Sequence, residues 1–530
     1  MNMGLQEITQ KVANDFIKTI LFIDDEATFG NSSSDHHINA NSLTRLFARE
    51  GKSCIFFKYD KIGDKKDILK LIEQSDVCVL DWKIVLSENS SDFMSDEEGE
   101  EDVAEPESRG RYAVELLKNA IQKKHSKPKL FLIYTAEHEV DLTSIASMFN
   151  VETCKGMEIQ NNSSRVSVYF KPSLTGQHVP KAVEDRIKEY ENLPELISKE
   201  FSRLFCGLLP IAVLKAISAV RNNTNALLNF YRKELDPAFV IHRGMLQNPE
   251  DAGELLKTSL SGSIDSIFSR EGVPDAINGD TVSAWLDSHN FNNNSIKMKK
   301  KTIRIQDTER QKWQCHGFSA FLKEAFLTLH NENLDDEDIE IFERYQLKDC
   351  AGKIFLPQNI SPDGIHEEFS ILTHHKSNFH TPHYIPQLTL GTVVRTQGPR
   401  PKYFFCIQQR CDSLRIEKNE KRNFIFLPMF PDNKKVDVVF KHKQKGYIFL
   451  KCPTNSCYNI MVIPFLATNK KSVVSASKDT RKQYFFTSVN GERYYWVLDL
   501  KESHAQRIIE RFASTLSRIG LDESEWLRRL

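Results

Sequence analysis

The side chains of this 530-residue chain best placed for chemistry are acids. Asp24, Asp25 and Glu26 follow the apolar run KTILFI, and Asp81 follows VCVL. Thr135 closes KLFLIYT, and Lys171-Pro172 follows VSVYF. Two or three carboxylates held together repel one another and resist ionisation unless a cation joins them. A hard divalent ion such as magnesium takes oxygen ligands and tolerates waters. With that charge offset, one aspartate can act as nucleophile towards a phosphoryl group. A threonine hydroxyl and a lysine ammonium can then hold the phosphate oxygens. Pro172 fits a rigid turn after the lysine, cis or trans. Each residue also has an ordinary reading on its own: a strand-end acid, a capping threonine, an exposed lysine.

What would bring these residues together is the order of elements around them. Residues 18–24, 53–60, 77–81, 129–135 and 166–171 read as strands. Helical spacing fills 39–51, 65–75, 110–124, 139–150 and 181–193, with Leu43, Leu46 and Phe47 or Leu116, Leu117 and Ile121 sharing a face. Five strands alternating with helices predict a parallel sheet covered on both faces. In such a sheet all the carboxyl ends lie along one edge, where ligands and chemistry gather. The segment SENSSDFMSDEEGEEDVAEPES (87–108) breaks the rhythm. It is acidic, serine-rich and aperiodic, and reads as a solvated inserted loop.

A chain this long needs more than one core. Beyond about residue 195 long 3.6-residue periods prevail, notably 195–235, where Pro210 predicts a kink or break, and then 250–268 and 317–334. Residues 292–306 read as a polar, basic linker or loop. From about 365 the period becomes two, with eight strand-like runs between 388 and 500, and the last thirty residues turn helical again. The domains expected are therefore 15–195, a mostly helical 196–355, and a β-rich α+β 365–530. The net charge of -1 argues against a general nucleic-acid or membrane coat. The longest apolar run, 204–214, is too short for a bilayer and contains Pro210. The N-terminus has no secretion pattern, and ten cysteines over this length make no disulfide framework, so a reducing cytoplasm is expected.

The pieces FIDDEA (22–27), VCVLDW (77–82), LIYTAEHE (132–139) and FKPS (170–173), in that order, resemble the receiver domain of bacterial response regulators. RGRYAVELLK (109–118) is similar to the glycine-led helix after that family's acceptor loop. The resemblance covers roughly residues 15–195 and implies a flavodoxin-like fold of five parallel strands. It implies Asp81 as phosphoacceptor and Thr135 and Lys171 as sensors of the phosphoryl group. Asp25, Asp81 and the backbone carbonyl of Lys83 would bind Mg2+ directly, and Asp24 through water. Three departures stand out: the acidic insertion, about thirty residues between the fourth and fifth strands, and Val168 where the family carries its switch aromatic.

The same resemblance implies a histidine kinase or a sensor ATPase as partner. Similar large receivers accompany sensor ATPases, some in antiviral defence loci. A homodimer is left open, and neither nucleic acid nor a membrane is expected. Two other readings remain: a pseudo-receiver scaffold without phosphorylation, and a receiver-controlled effector enzyme or nucleic-acid binder. Outside this domain, Cys406/Cys411 and Cys452/Cys457 form two C-x4-C pairs. Such pairs can hold zinc, although core thiols fit their apolar strand context better. The histidines of 366–383 and the phrase CIQQRCDSLR (406–415) are the other unusual runs, with pocket and ordinary loop as competing readings. The basic run 297–304 lacks an aromatic platform and reads as solvated.

Overall fold

In the computed structural model the chain forms two compact units, residues 1–358 and 359–530. The structure describes residues 3–24, 40–84, 86, 110–122, 128–137, 139–147, 157–161, 163–172, 181–246, 249–291, 295–298, 301–376, 384–414, 416–417, 420–433, 436–442, 444–453, 460–467 and 473–516. The acidic insertion, Asp25 and Cys457 lie outside them.

The first unit begins with α1 (Leu5–Phe16) and continues β1 (Thr19–Ile23), α2 (Ala40–Arg49), β2 (Ser53–Phe57), α3 (Lys65–Gln74), β3 (Val77–Leu80), α4 (Arg111–Gln122) and β4 (Lys129–Thr135). After the short α5 (Thr143–Ala146) come β5 (Glu158–Gln160), β6 (Ser164–Phe170), α6 (Lys181–Glu184) and α7 (Leu193–Ser202). The strand order is β2-β1-β3-β4-β6-β5. Five strands run parallel, as the alternation predicts, and β5 adds an antiparallel edge by pairing with β6. That edge strand, absent from the sequence reading, uses part of the long stretch between the fourth and fifth predicted strands.

Every described residue of β3, β4 and β6 is buried. One face packs Ile68 and Ile72 of α3 and Leu116 and Leu117 of α4 against Cys78, Ile133 and Val168. The other packs Phe16 of α1, Phe47 of α2 and Leu196, Ile197 and Phe201 of α7 against Ile20, Val79 and Leu132. The helix predicted over 181–193 is replaced. Its middle is extended, bridges Phe170 at Ile187 and is held by Phe170 N–H to Arg186 O and Lys188 N–H to Phe170 O. The covering helix follows as α7, one element later than the periodicity placed it.

Helices α8 (Leu208–Asn222), α9 (Thr224–Phe230), α10 (Asp236–Met245), α11 (Ala252–Arg270) and α12 (Gly279–Asp287) come next. The interruption expected at Pro210 is a break: α7 ends at Ser202 and α8 starts at Leu208, with Pro210 in its first turn, where a missing N–H is tolerated. Arg221 at the end of α8 donates to the fully buried carboxylate of Asp76, which also accepts Lys18 N–H and Thr19 N–H at the amino edge of the sheet. The expected linker at 292–306 is instead a hairpin, β7 (Ser295–Met298) with β8 (Lys301–Arg304). Its alternation drives Ile296, Met298 and Ile303 into a core with Trp313 and Phe321, which counting lysines concealed. The core is completed by α13 (Asp307–His316), α14 (Phe318–His330), α15 (Asp336–Tyr345) and α16 (Leu347–Ile354).

The second unit opens with α17 (Ile365–His374) and then reads β9 (Thr392–Arg395), β10 (Tyr403–Cys406), α18 (Arg410–Ser413), β11 (Lys421–Pro431), β12 (Val438–His442), β13 (Gly446–Lys451), β14 (Met461–Leu466), β15 (Ser477–Lys478), β16 (Tyr484–Thr487), β17 (Arg493–Asp499) and α19 (Glu502–Leu516). The strands form one antiparallel sheet, ordered β12-β13-β11-β10-β9-β17-β16-β15, with β14 also on β11. Phe404, Phe424, Phe426 and Phe465 fill one face. Ile508 and Phe512 of α19 cover the other against Val393, Phe405 and Leu427. Among the described residues no helix is long and apolar enough to cross a membrane.

Candidate functional site

The strand order turns back on itself between β1 and β3: β2 lies on one side of β1, and the chain then crosses to place β3 on the other. At such a switch point the loops diverge and leave a crevice beyond the carboxyl ends. Asp24 is the first residue past β1, and Asp81 the first past β3. Asp81 N–H donates to Ile23 O at 3.0 Å, so the ladder fixes the two acids side by side. Both are nearly buried, at 2% and 8% exposure. Thr135 is the last residue of β4, next in the sheet, and Lys171 the first past β6, held by Lys171 N–H to Thr135 O at 2.8 Å.

The four side chains meet. Lys171 Nζ donates to Asp81 Oδ2 at 2.5 Å and to Asp24 Oδ2 at 3.2 Å. Thr135 Oγ1 donates to Asp81 Oδ1 at 2.8 Å, and the backbone N–H of Lys83 donates to the same oxygen at 3.1 Å. The Lys83 ammonium turns outward, 3.6 Å from Glu137. Burial pushes the Asp81 carboxyl above its usual range, Lys171 pulls it back, and Asp24 pushes it further up. Burial lowers the Lys171 ammonium, but Asp81 and Asp24 more than reverse that and hold it above its ordinary value. Two carboxylates and one ammonium thus meet in a poorly solvated place. The donors of this cluster are hard oxygens, which suits a magnesium-like ion. Asp25 falls outside the described residues, and among those described no three His, Cys, Asp or Glu side chains gather into a metal site.

The loop after Asp81 is anchored from below. Trp82 is 3% exposed, and Gly110, just ahead of α4, lies flat against its indole. Gly110 has φ +83°, and a Cβ there would come within 2.6 Å of Trp82 Nε1. Both constraints demand glycine.

Residues 16–175 match the family model of the response receiver domain. That segment is a receiver. No curated protein matches the chain. A receiver suggests two-component-like signalling, with a kinase as the general partner and Mg2+ as the ion such domains typically bind.

One residue beside the receiver site escaped the sequence reading. Tyr190 stacks edge-on against Tyr134, at 5.6 Å between centroids. Burial raises its hydroxyl pKa, Lys171 lowers it, and Asp24 and Asp81 raise it again, so the hydroxyl lies within the field of the acid cluster. That buried hydroxyl has no hydrogen-bond partner among the described residues. Only the extended path of 185–189 brings it here, and a helical reading of that stretch gave no signal.

Val168, at the family's switch position, is wholly buried among Cys78 and Ile133. The neighbouring Tyr169 faces the other side of the sheet, where its hydroxyl donates to Glu200 of α7 at 2.9 Å. Among the described residues the remaining candidates do not assemble, and Cys457, His380 and His383 lie outside them. Cys406 and Cys452 are buried, with burial pushing each thiol up to about 12, and Cys411 is exposed. His375 Nε2 is bonded to Val439 O, and His374 stacks on His504 at 4.0 Å, so these rings brace α17 and α19.

Proposed function

We propose that Asp81 accepts a phosphoryl group from a histidine kinase and that the receiver thereby switches the rest of the chain. The convergence of Lys171 and Thr135 on the two oxygens of Asp81, beside Asp24, carries this reading. An Asp81 carboxylate oxygen attacks phosphorus, the acyl O–P bond forms, and the donor's P–N bond breaks with its electron pair leaving on the imidazole nitrogen. Lys171 is placed to take up charge on the transferred oxygens, and Thr135 to donate to one of them. Asp24, Asp81, Asp25 and the Lys83 carbonyl are the groups that would hold Mg2+, which supplies charge neutralisation at the phosphoryl group. The side-by-side placing of the buried Asp24 and Asp81 carboxylates supports that role.

Incubating the full chain with acetyl phosphate and MgCl2 is expected to add the mass of one phosphoryl group. Asp81→Asn or EDTA is expected to abolish the gain. An intact gain in Asp81→Asn would assign the acceptor elsewhere, and no gain in the parent chain would leave the scaffold reading. Tyr190 belongs to the same proposal, because a buried hydroxyl without a hydrogen-bond partner among the described residues, in the field of the cluster, is a candidate donor to a phosphoryl oxygen. Tyr190→Phe is expected to leave folding intact and shorten the acyl-phosphate lifetime several-fold; an unchanged decay rate would remove Tyr190 from the site.

A further inference from the structure

The antiparallel sheet of the second unit carries a row of rings and guanidinium groups that the receiver does not use. Tyr403 of β10 stands opposite Arg395 of β9, Arg395 opposite Tyr495 of β17, and Tyr495 opposite Phe485 of β16. Side chains of directly paired residues lie on one face, so the row crosses four strands without a break. Arg493, two residues before Tyr495, shares that face. The Arg395 guanidinium lies over the Tyr495 ring, 5.0 Å from its centroid, and Arg493 lies over Phe485 at 4.6 Å. The rings are buried beneath these planes, and the planes form the floor of a cleft of 840 Å³.

The walls come from opposite ends of the sheet. The β12–β13 hairpin brings Lys445, and the β15–β16 turn brings Arg481, so the sheet curls to face both towards the same hollow. Among the described residues the Arg395, Lys445, Arg481 and Arg493 cations line it against one carboxylate, Asp479, while the Lys478 ammonium lies over Tyr484 on the other face. That carboxylate is engaged at 2.9 Å and 2.8 Å by the backbone N–H groups of Arg481 and Gln483. In a chain of net charge -1 this is a marked local excess of positive charge.

A basic groove whose floor offers flat π-faces has two complementary features: cations for a phosphate backbone and planes for bases. Guanidinium groups fixed over aromatic rings serve as such planes. The hollow between two hairpins admits a flexible strand, whereas a stiff duplex cannot follow a concave floor. We propose that this cleft binds single-stranded nucleic acid, with phosphates at the Lys445 and Arg481 rim and bases stacked on the Arg395 and Arg493 planes. The expectation of no nucleic acid rested on net charge and on the run at 297–304. Here the cations are scattered over a hundred residues, and sheet register alone gathers them. The inference is independent of phosphorylation at Asp81.

Fluorescence anisotropy of the full chain with labelled single strands of about 20 nucleotides, long enough for one such groove, tests it. DNA and RNA of mixed sequence form two arms, and preference for one identifies the sugar. The affinity is expected to fall linearly on a log–log plot against salt, by about 0.7 per phosphate neutralised. Lys445→Glu with Arg481→Glu, both at exposed positions where the sheet core is untouched, is expected to weaken binding by at least about tenfold and flatten the slope. Arg493→Lys keeps the charge but removes the plane, and is expected to weaken binding several-fold. The absence of salt-dependent binding to either strand would overturn the proposal. So would unchanged affinity in the double variant, tighter binding of a duplex or of ATP, or loss instead on Lys297→Glu in the β7–β8 hairpin.

Discussion

Lys171→Met is expected to destabilise the receiver by about 3–5 kcal/mol at neutral pH, the usual consequence of stranding buried charge. Asp24 and Asp81 are nearly inaccessible to water, and the ammonium touches both. Methionine keeps most of the volume and removes the ammonium that touches both. The sign with pH follows from the carboxyls. Burial already raises the Asp81 pKa in the parent chain, and losing Lys171 raises it further. A carboxyl whose folded pKa exceeds its unfolded value disfavours folding once pH rises through that folded pKa. The deficit therefore grows as pH rises and shrinks as acid protonates Asp81. A divalent cation that binds only the folded receiver restores part of it by mass action. Hydrogen exchange of β3 and β4 peptides, read by mass spectrometry in the full chain, checks all three: faster exchange at pH 7, a smaller effect on acidification, and partial recovery with MgCl2. Exchange no different from the parent would mean that the three side chains carry little interaction energy.

The receiver was legible because its central strands β3, β4 and β6 are buried on both faces and end abruptly in polar residues. VCVL followed by Asp81, and VSVYF followed by Lys171, locate both the core and its edge. That these ends converge needs only the parallel alternation. The curled second sheet was legible as strands, since residues 423–429 and 493–500 alternate or cluster apolar side chains, but its order was not. Adjacent hairpins such as β12–β13 follow chain order, whereas β9 pairs with β17 across about a hundred residues. No local pattern announces that pairing, so the row through Arg395 and Tyr495 was invisible. At 181–193 the failure has another cause. KAVEDRIKEYENL has helical composition, yet its middle gains backbone hydrogen bonds to the end of β6, and tertiary pairing overrode local preference. Tyr190 was lost with it. At 295–304 the sequence is dominated by lysines, which masked the alternation that buries Ile296 and Ile303.

The other large effect concerns Glu200, which no motif singled out. Its carboxylate is fully buried on α7 and accepts four side-chain donors: Arg165 Nε at 2.9 Å, Ser167 Oγ at 2.7 Å, Tyr169 OH at 2.9 Å and Arg203 Nη1 at 2.8 Å. The first three are alternate residues of β6, so one acid ties the helix to a whole face of the strand that ends at Lys171. Glu200→Leu removes the acceptor, leaves the 5%-exposed Arg165 with a lost partner, and orphans two buried hydroxyls. The expected cost is about 3–5 kcal/mol, as for other broken buried pairs. Glu200→Gln retains an acceptor oxygen and is expected to cost less. The functional argument follows from position. Tyr169, two residues before Lys171, is fixed to α7 instead of standing free at the switch position, which Val168 occupies. A shift of Lys171 on phosphorylation would thus be relayed along β6 to α7, and Arg221 joins the following α8 to Asp76 at the opposite edge of the same sheet. In Glu200→Gln, acetyl phosphate and MgCl2 should still load Asp81, while the change in α7 and α8 hydrogen exchange that accompanies loading in the parent should shrink or vanish. Equal loading with an undiminished exchange response would show that this face of the receiver carries no signal.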